Sequence, residues 1–198
     1  VEKNLAHPIG LRVRAANEVG DRIFVDGNSA AALGCVYGGA TVCAWYPITP
    51  SSSCAEAFIS YCQKLRVEPE TGRNLYASVQ AEDEIASIGL CLGASMAGMK
   101  VLTATSGPGI SLYSEQISFA VGSEIPIVIV DIQRLGPSTG SATRGADGDV
   151  QFLQWGSTGG VPVIVLAPKD ALDCYLLAIH AFNYAEEFRC PVFIASNK

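Results

Sequence analysis

Six short runs rich in apolar and β-branched residues recur along the chain, separated by stretches with helical spacing. They cover 41–46 (TVCAWY), 75–80 (LYASVQ), 100–105 (KVLTAT), 126–131 (PIVIVD), 161–166 (VPVIVL) and 191–195 (PVFIA). Several are continuous rather than alternating, the pattern of strands covered on both faces of a parallel sheet. The intervening stretches predict helices near 28–38, 51–66, 82–98, 110–123 and 170–187. Ser51, after Pro50, is placed to cap the second of these, and Asp170 to cap the last. In 170–187, Leu172, Tyr175, Leu176 and Ile179 fall on one stripe, which predicts the packing face. Strands and helices alternating in this way predict a doubly wound α/β domain. Its mostly parallel sheet has about six strands, with helices on both faces and right-handed crossovers. The segment 132–150, dense in Gly, Ser and Thr, is expected to be a long loop of the kind that carries function.

Residues 1–22 are polar and aperiodic and are expected to be a linker or N-terminal extension, with the domain over 23–198. The chain opens on Val1 and stops two residues after PVFIAS, so a fragment of a longer polypeptide is expected. Composition narrows the class. Of 198 residues, 49% are hydrophobic and 16% charged, which excludes a disordered chain or a coiled coil. A net charge of −6 argues against a broad basic face, so no nucleic-acid partner is expected. The longest apolar run, Ile125–Val130, is broken by Pro126 and too short for a bilayer, so no membrane association is expected. No signal peptide is visible. The seven cysteines are odd in number and form no C-x-x-C pair. They read as reduced thiols in a cytoplasmic protein without its own metal site. His7 and His180 lack pattern partners, which disfavours a Ser–His or Cys–His hydrolase. Trp45, Tyr46 and Trp155 read as core aromatics.

The unusual residues cluster by position. YPITPSS (46–52), QAEDE (80–84), TSGPG (105–109) and QRLGPSTG (133–140) each follow a predicted strand. Ligands of open α/β sheets bind beyond the carboxyl ends of the strands, so these four segments converge on one candidate site. Pro47 and Pro50 frame Thr49 in a stiff turn. Glu82 opens a helix whose face continues through Ala86, Gly89, Gly93 and Ala97, a small-residue stripe suited to close approach. Asp83 and Glu84 point to other faces, where a solvated role is expected. TSGPG lacks the Lys and spacing of a P-loop. Arg134 enters a Gly/Pro loop, where its guanidinium can clamp a carboxylate. Taken singly, each has a plain structural explanation: Ser51 as a cap, Glu82 drawn to a helix dipole, Arg134 as an exposed loop cation.

Together, YPITPSS, EDEIASIG (82–89), ATSGPGISL (104–112) and VIVDIQRLGPSTG (128–140) resemble the α chain of the 2-oxoacid:ferredoxin oxidoreductases. The resemblance runs from about residue 24 to the end and implies the pyrimidine-binding domain of a thiamine-diphosphate enzyme. It implies that Glu82 is the catalytic glutamate that hydrogen-bonds N1′ of the cofactor aminopyrimidine. It also implies that Thr49 faces the substrate and that Arg134 binds the 2-oxoacid carboxylate. Pro47, Ser106 and Gly107 lie in the same motifs and are expected to bind the cofactor. In the family a 2-oxoacid is decarboxylated oxidatively, iron–sulfur clusters pass electrons to ferredoxin, and coenzyme A accepts the acyl group. The diphosphate site with its magnesium, and the 4Fe-4S clusters, are implied to sit on a partner β subunit. A γ-type domain or subunit is a further implied partner. Many 2-oxoglutarate members read P-T-K-T-E-Q after S-T-G, whereas this chain reads SATRGADGD (141–149), with Arg144 in place of the lysine. The resemblance favours 2-oxoglutarate, with pyruvate or a branched-chain 2-oxoacid as alternatives. Two other readings are a non-catalytic flavodoxin-like interaction module and another thiamine-diphosphate class.

Overall fold

Continuous apolar strands have no face to give to water, and they sit between two helical layers. The computed structural model describes residues 15–160 and 162–197. The elements are α1 (Gly27–Tyr37), β1 (Val42–Trp45), α2 (Ser52–Leu65), β2 (Ala77–Gln80), α3 (Glu84–Met96), β3 (Val101–Thr105), α4 (Gly107–Leu112), α5 (Ser114–Gly122), β4 (Ile127–Ile132), α6 (Val150–Trp155), β5 (Ile164–Leu166), α7 (Ala171–Phe188) and β6 (Pro191–Ser196). All six strands pair in parallel in the order β2-β1-β3-β4-β6-β5. The chain leaves β1 for β2 on one side and later returns to β3 on the other. The direction of winding therefore reverses between β1 and β3, where such sheets open a crevice.

Alternate residues of each strand serve opposite layers. Val128, Val130 and Ile132 of β4 pack with α1, α2 and α7, through Cys35, Phe58 and Phe182 among others. Ile127 and Ile129 pack with α3 to α6, through Ile88, Ile110, Ile117 and Leu153. The central strands β3, β4 and β6 are buried at every position, while β2 is an exposed edge. All seven cysteines are free and buried. No helix among the described residues is long and apolar enough to cross a membrane.

Several expectations need correction. Ser51 is itself helical in conformation, and its Oγ donates to the Ile48 carbonyl at 2.9 Å instead of capping. Asp170 does cap, accepting from the Asp173 amide at 2.9 Å. The helix expected over 82–98 begins only at Glu84, because Asp83 is its cap and accepts from Ala86 N–H at 2.6 Å. The helix expected over 110–123 is two, separated at Tyr113. The buried hydroxyl of Tyr113 meets Ser87 at 2.9 Å and Thr103 at 3.0 Å. The 132–150 loop runs into α6, an unforeseen helix, and Trp155 at its end is 79% exposed rather than core.

The packing face of α7 also differs from the predicted stripe. Leu172 and Leu176 are exposed, and the helix buries Cys174, Ala178, Ala181, Phe182 and Ala185 instead. Small residues win because α1 and α7 pack at backbone distance. A Cβ on Gly34 would overlap the Tyr175 carbonyl and lie 2.7 Å from Ala178 Cβ. Gly34→Ala is therefore expected to destabilise the fold by about 1–3 kcal/mol through overpacking, read as a lower thermal midpoint. An unchanged midpoint would mean that the two helices can slide apart without cost. His7 and residues 1–14 of the expected linker lie outside the described residues; residues 15–22 are exposed and carry no helix or strand.

Candidate functional site

The carboxyl ends of β2, β1, β3 and β4 deliver, in that order along one edge, Glu82, Pro47–Thr49, Ser106–Gly107 and Gln133–Arg134. Adjacent strands lie ~4.8 Å apart, so the strand leading to Glu82 is about 14 Å from the one leading to Arg134. A ligand touching both has to be long and lie across the switch between β1 and β3.

Arg134 is the best fixed of these. It is only 5% exposed, so it is not the solvated loop cation that its sequence setting allows. Its Nη1 donates to the Thr49 carbonyl at 2.7 Å, and its Nη2 donates to the Thr139 carbonyl at 2.6 Å. One guanidinium thus joins the turn after β1 to the loop after β4. Its Nε is buried without a partner among the described residues. Arg134 lines a cleft of about 130 Å³ with Gly107, Pro108, Ser111, Leu135–Ser138, Gly148 and Asp149. Thr49 is exposed and lines a neighbouring cleft of about 320 Å³ with Pro50, Gln133, Ala142–Gly145 and Asn197. Arg144 therefore stands in the same cleft as Thr49.

Ser106 is fully buried; its Oγ has no partner among the described residues and does not cap α4. Gly107 faces the carboxylate of Asp149: a Cβ there would lie 3.4 Å from Oδ1. Pro47 is exposed at the same edge. Glu82 is exposed as well and lines neither of the two clefts. Its backbone is nonetheless fixed on both sides. Ala81 N–H donates to the Trp45 carbonyl at 2.8 Å, and Asp83 caps α3. Among the described residues Glu82 has no ion-pair partner. The predicted small stripe is exposed through Ala86, Gly89, Gly93 and Ala97, with open space beyond both glycines.

Sequence reasoning missed two acids. Asp131 closes the apolar run of β4 and is fully buried, and Asp149 stands immediately before α6 at the cleft wall without capping it. Burial pushes the Asp131 carboxyl well above the usual carboxylate range, and the adjacent Asp149 carboxyl pushes it further. Burial raises Asp149 too, against the pull of the nearby Arg134 and Gly107 backbone amides. Both Asp131 oxygens and Asp149 Oδ2 lack a donor among the described residues. The signal available beforehand was a charged residue ending a run of buried strand residues, which is rare unless the charge is paired or neutralised. Around them Thr105 Oγ1, Ser106 Oγ, Gln133 Oε1 and Arg134 Nε are also unpartnered and buried. Such a concentration of buried polar atoms calls for partners of the kind that ordered water, a proton, an ion or a polar ligand supplies.

Comparison with known proteins gives the family. Residues 33–198 match the family described as pyruvate flavodoxin/ferredoxin oxidoreductase, thiamine diP-bdg. The chain is 47% identical to 2-oxoglutarate synthase subunit KorA of Methanocaldococcus jannaschii over 175 residues, 88% of this chain and 45% of that protein. It is 42% identical to the same subunit of Archaeoglobus fulgidus, covering 88% of this chain and 48% of that one. The chain thus spans about half the length of these curated relatives. Among solved structures, it superposes on a 2-oxoglutarate:ferredoxin oxidoreductase from Magnetococcus marinus with a TM-score of 0.84 and 40% identity. That match covers 98% of this chain and 32% of that one, and the structure holds 2-oxoglutarate, coenzyme A and succinyl-CoA.

Proposed function

Because the chain belongs to the thiamine diphosphate-binding family of pyruvate flavodoxin/ferredoxin oxidoreductases, we propose that it forms the pyrimidine-binding half of a 2-oxoacid:ferredoxin oxidoreductase active site. The reaction is oxidative decarboxylation of a 2-oxoacid, with 2-oxoglutarate favoured, to an acyl-CoA and carbon dioxide with reduction of ferredoxin. The observation that carries it is Arg134, a buried guanidinium with a free Nε, set between Thr49 and the loop over a cleft. A buried guanidinium whose hydrogen bonds go only to two carbonyls, with Asp149 nearby in the same cleft, keeps donor capacity for a small carboxylate, whose geometry it matches.

The residues present fit thiamine diphosphate. Glu82 offers an exposed carboxyl without an ion-pair partner among the described residues, at the end of the edge, suited to the N1′ nitrogen of an aminopyrimidine. Pro47, Ser106 and Gly107 lie between it and Arg134 along the edge and would hold the cofactor there. When bound, the cofactor supplies a carbon nucleophile and an electron sink for decarboxylation. Glu82 holds a proton at the aminopyrimidine ring, and Arg134 holds the substrate carboxylate. The exposed small stripe of α3, with Ile85 and Leu90 beside it, suits the close approach of a partner backbone. The diphosphate, its magnesium and the 4Fe-4S clusters are assigned to a β subunit, with a γ-type domain as a further partner. Seven buried free thiols accord with a cytoplasmic setting.

The preference for 2-oxoglutarate over pyruvate rests on Arg144, which shares a cleft with Thr49 and can meet a second carboxylate. The test is turnover of the complete complex on a panel of 2-oxoacids with a ferredoxin-type acceptor. Arg144→Ala is expected to raise KM for 2-oxoglutarate about ten- to hundredfold, the worth of one charge-assisted hydrogen bond. It should leave KM for pyruvate within about twofold, since pyruvate has no second carboxylate for that bond. Equal losses on both substrates would remove Arg144 from substrate choice. Absence of turnover on every 2-oxoacid would favour the non-catalytic module.

A further inference from the structure

The proposed chemistry leaves Asp131 and Asp149 unused, although they are the most costly side chains at the site. Asp131 lies in register between Thr105 of β3 and Ala195 of β6, fully buried on the face covered by α4 and α6. Asp149 meets it from the far end of the loop, immediately before α6, with its carboxylate against Gly107, two residues past the Thr105 that neighbours Asp131 in β3. Between them run residues 132–148, which include Arg134 and Arg144. Most other ties of this segment are internal to it. Leu135 N–H donates to the Arg144 carbonyl at 2.7 Å, Ser141 N–H to the Leu135 carbonyl at 2.8 Å, and Arg134 to Thr139. Ties from the far end back to the sheet region include Asp149, which faces Asp131 and the Gly107 backbone, and the 3.1 Å bond from Asn197 Nδ2 to Asp147.

Resting on the 2-oxoacid reading above, we propose that Asp131 and Asp149 are positioning residues that share one buried proton. Together they clasp the loop 132–148 to the sheet and hold Arg134 at the cleft. Two ionised carboxylates in contact here repel, and their orphaned oxygens stay unmet. One shared proton turns the contact into a short, charge-assisted O–H···O bond and supplies the missing donor. Asp131 carries it, because it is the more deeply buried and has no backbone amide bearing on it, whereas Asp149 has two.

The surroundings favour the proton. Arg134 is the cation bearing on Asp149, and it already serves two carbonyls. The α4 and α6 segments present no titratable side chain, β3 presents Thr105 and β6 presents Ala195. From α3, Glu84 abuts Gly109 and adds negative charge to this face. Tyr113, pushed up to about 12 by burial, stays neutral. The sign follows from the raised direction of both carboxyls. The clasp is intact below the ordinary carboxylate range, and its stabilisation is lost as pH rises through the pair's own titration.

The test uses the complete complex and two readouts over a pH series: steady-state kinetics on 2-oxoglutarate, and amide hydrogen exchange of 135–148 corrected for intrinsic rates. In the unaltered enzyme, KM is expected to rise about tenfold as nine-tenths of the population unclasps, with kcat nearly constant. Exchange of 135–148 accelerates over the same pH range. Asp131→Asn supplies a permanent donor that does not titrate, so both profiles flatten; Asp149→Asn serves the same purpose if the first variant does not fold. Profiles in a folded Asn variant that track the unaltered enzyme overturn the clasp, as does exchange of 135–148 that ignores pH in the unaltered enzyme. PH-responsive exchange in a complex with no 2-oxoacid turnover supports the clasp and sinks the catalytic reading instead.

Discussion

Glu82→Ala in the complete enzyme is expected to cut turnover by roughly two to four orders of magnitude, the usual worth of a positioned proton-transfer group. Folding and assembly should persist. The Glu82 side chain is exposed and has no ion-pair partner among the described residues. Asp83, not Glu82, caps α3, so the helix keeps its start. Surface substitutions of this kind usually move stability by no more than about 0.5 kcal/mol. Lost activity with an unchanged thermal midpoint is therefore the expected signature. Glu82→Gln sharpens the reading, because an amide keeps the shape and cannot exchange the proton. Near-normal turnover in either variant would refute the assignment of Glu82.

Arg134→Lys is expected to lower kcat/KM about hundredfold, mainly through KM. Lysine keeps the charge but replaces a planar fork with a compact ammonium. It cannot reach Thr49 and Thr139 together in the arginine's geometry while still presenting a donor to substrate. Each charge-assisted bond lost is worth about 1.5–3 kcal/mol, and one such bond spans a hundredfold at its upper end. Arg134→Ala goes further, since it leaves two carbonyls unmet and opens a void beside Gly107. For that variant a lower thermal midpoint should accompany the kinetic loss. A lysine variant with unchanged KM would show that Arg134 braces the loop without touching substrate.

The four motifs, and the edge on which they meet, are readable along the chain because each directly follows a strand, and strand ends of a parallel sheet point one way. The apolar runs at 100–105, 126–131 and 191–195 emerged as the buried centre of the sheet, β3, β4 and β6. Cap chemistry was less readable. Ser51 and Asp83 both precede helical spacing, yet only Asp83 caps, since the turn at 47–50 already carries Ser51 into helical geometry. The face of α7 was misjudged because spacing ranks residues by hydrophobicity. The close contact at Gly34 selects for small ones instead.

What the sequence by itself determined is the class of fold, the family and the residue types brought to one edge. These follow from local patterns: strand periodicity, turn residues and short motifs. Only the tertiary structure decided that Arg134 is buried and bridges two loops. It alone set Arg144 beside Thr49 and brought Asp131 against Asp149. These pairings join residues far apart in the chain, and their energetics depend on burial, which a one-dimensional pattern does not carry. A carboxylate at the end of an apolar run is costly when dry and alone, and stable when it shares a proton with a neighbour. Packing the loop after β4 back onto the sheet supplies that neighbour.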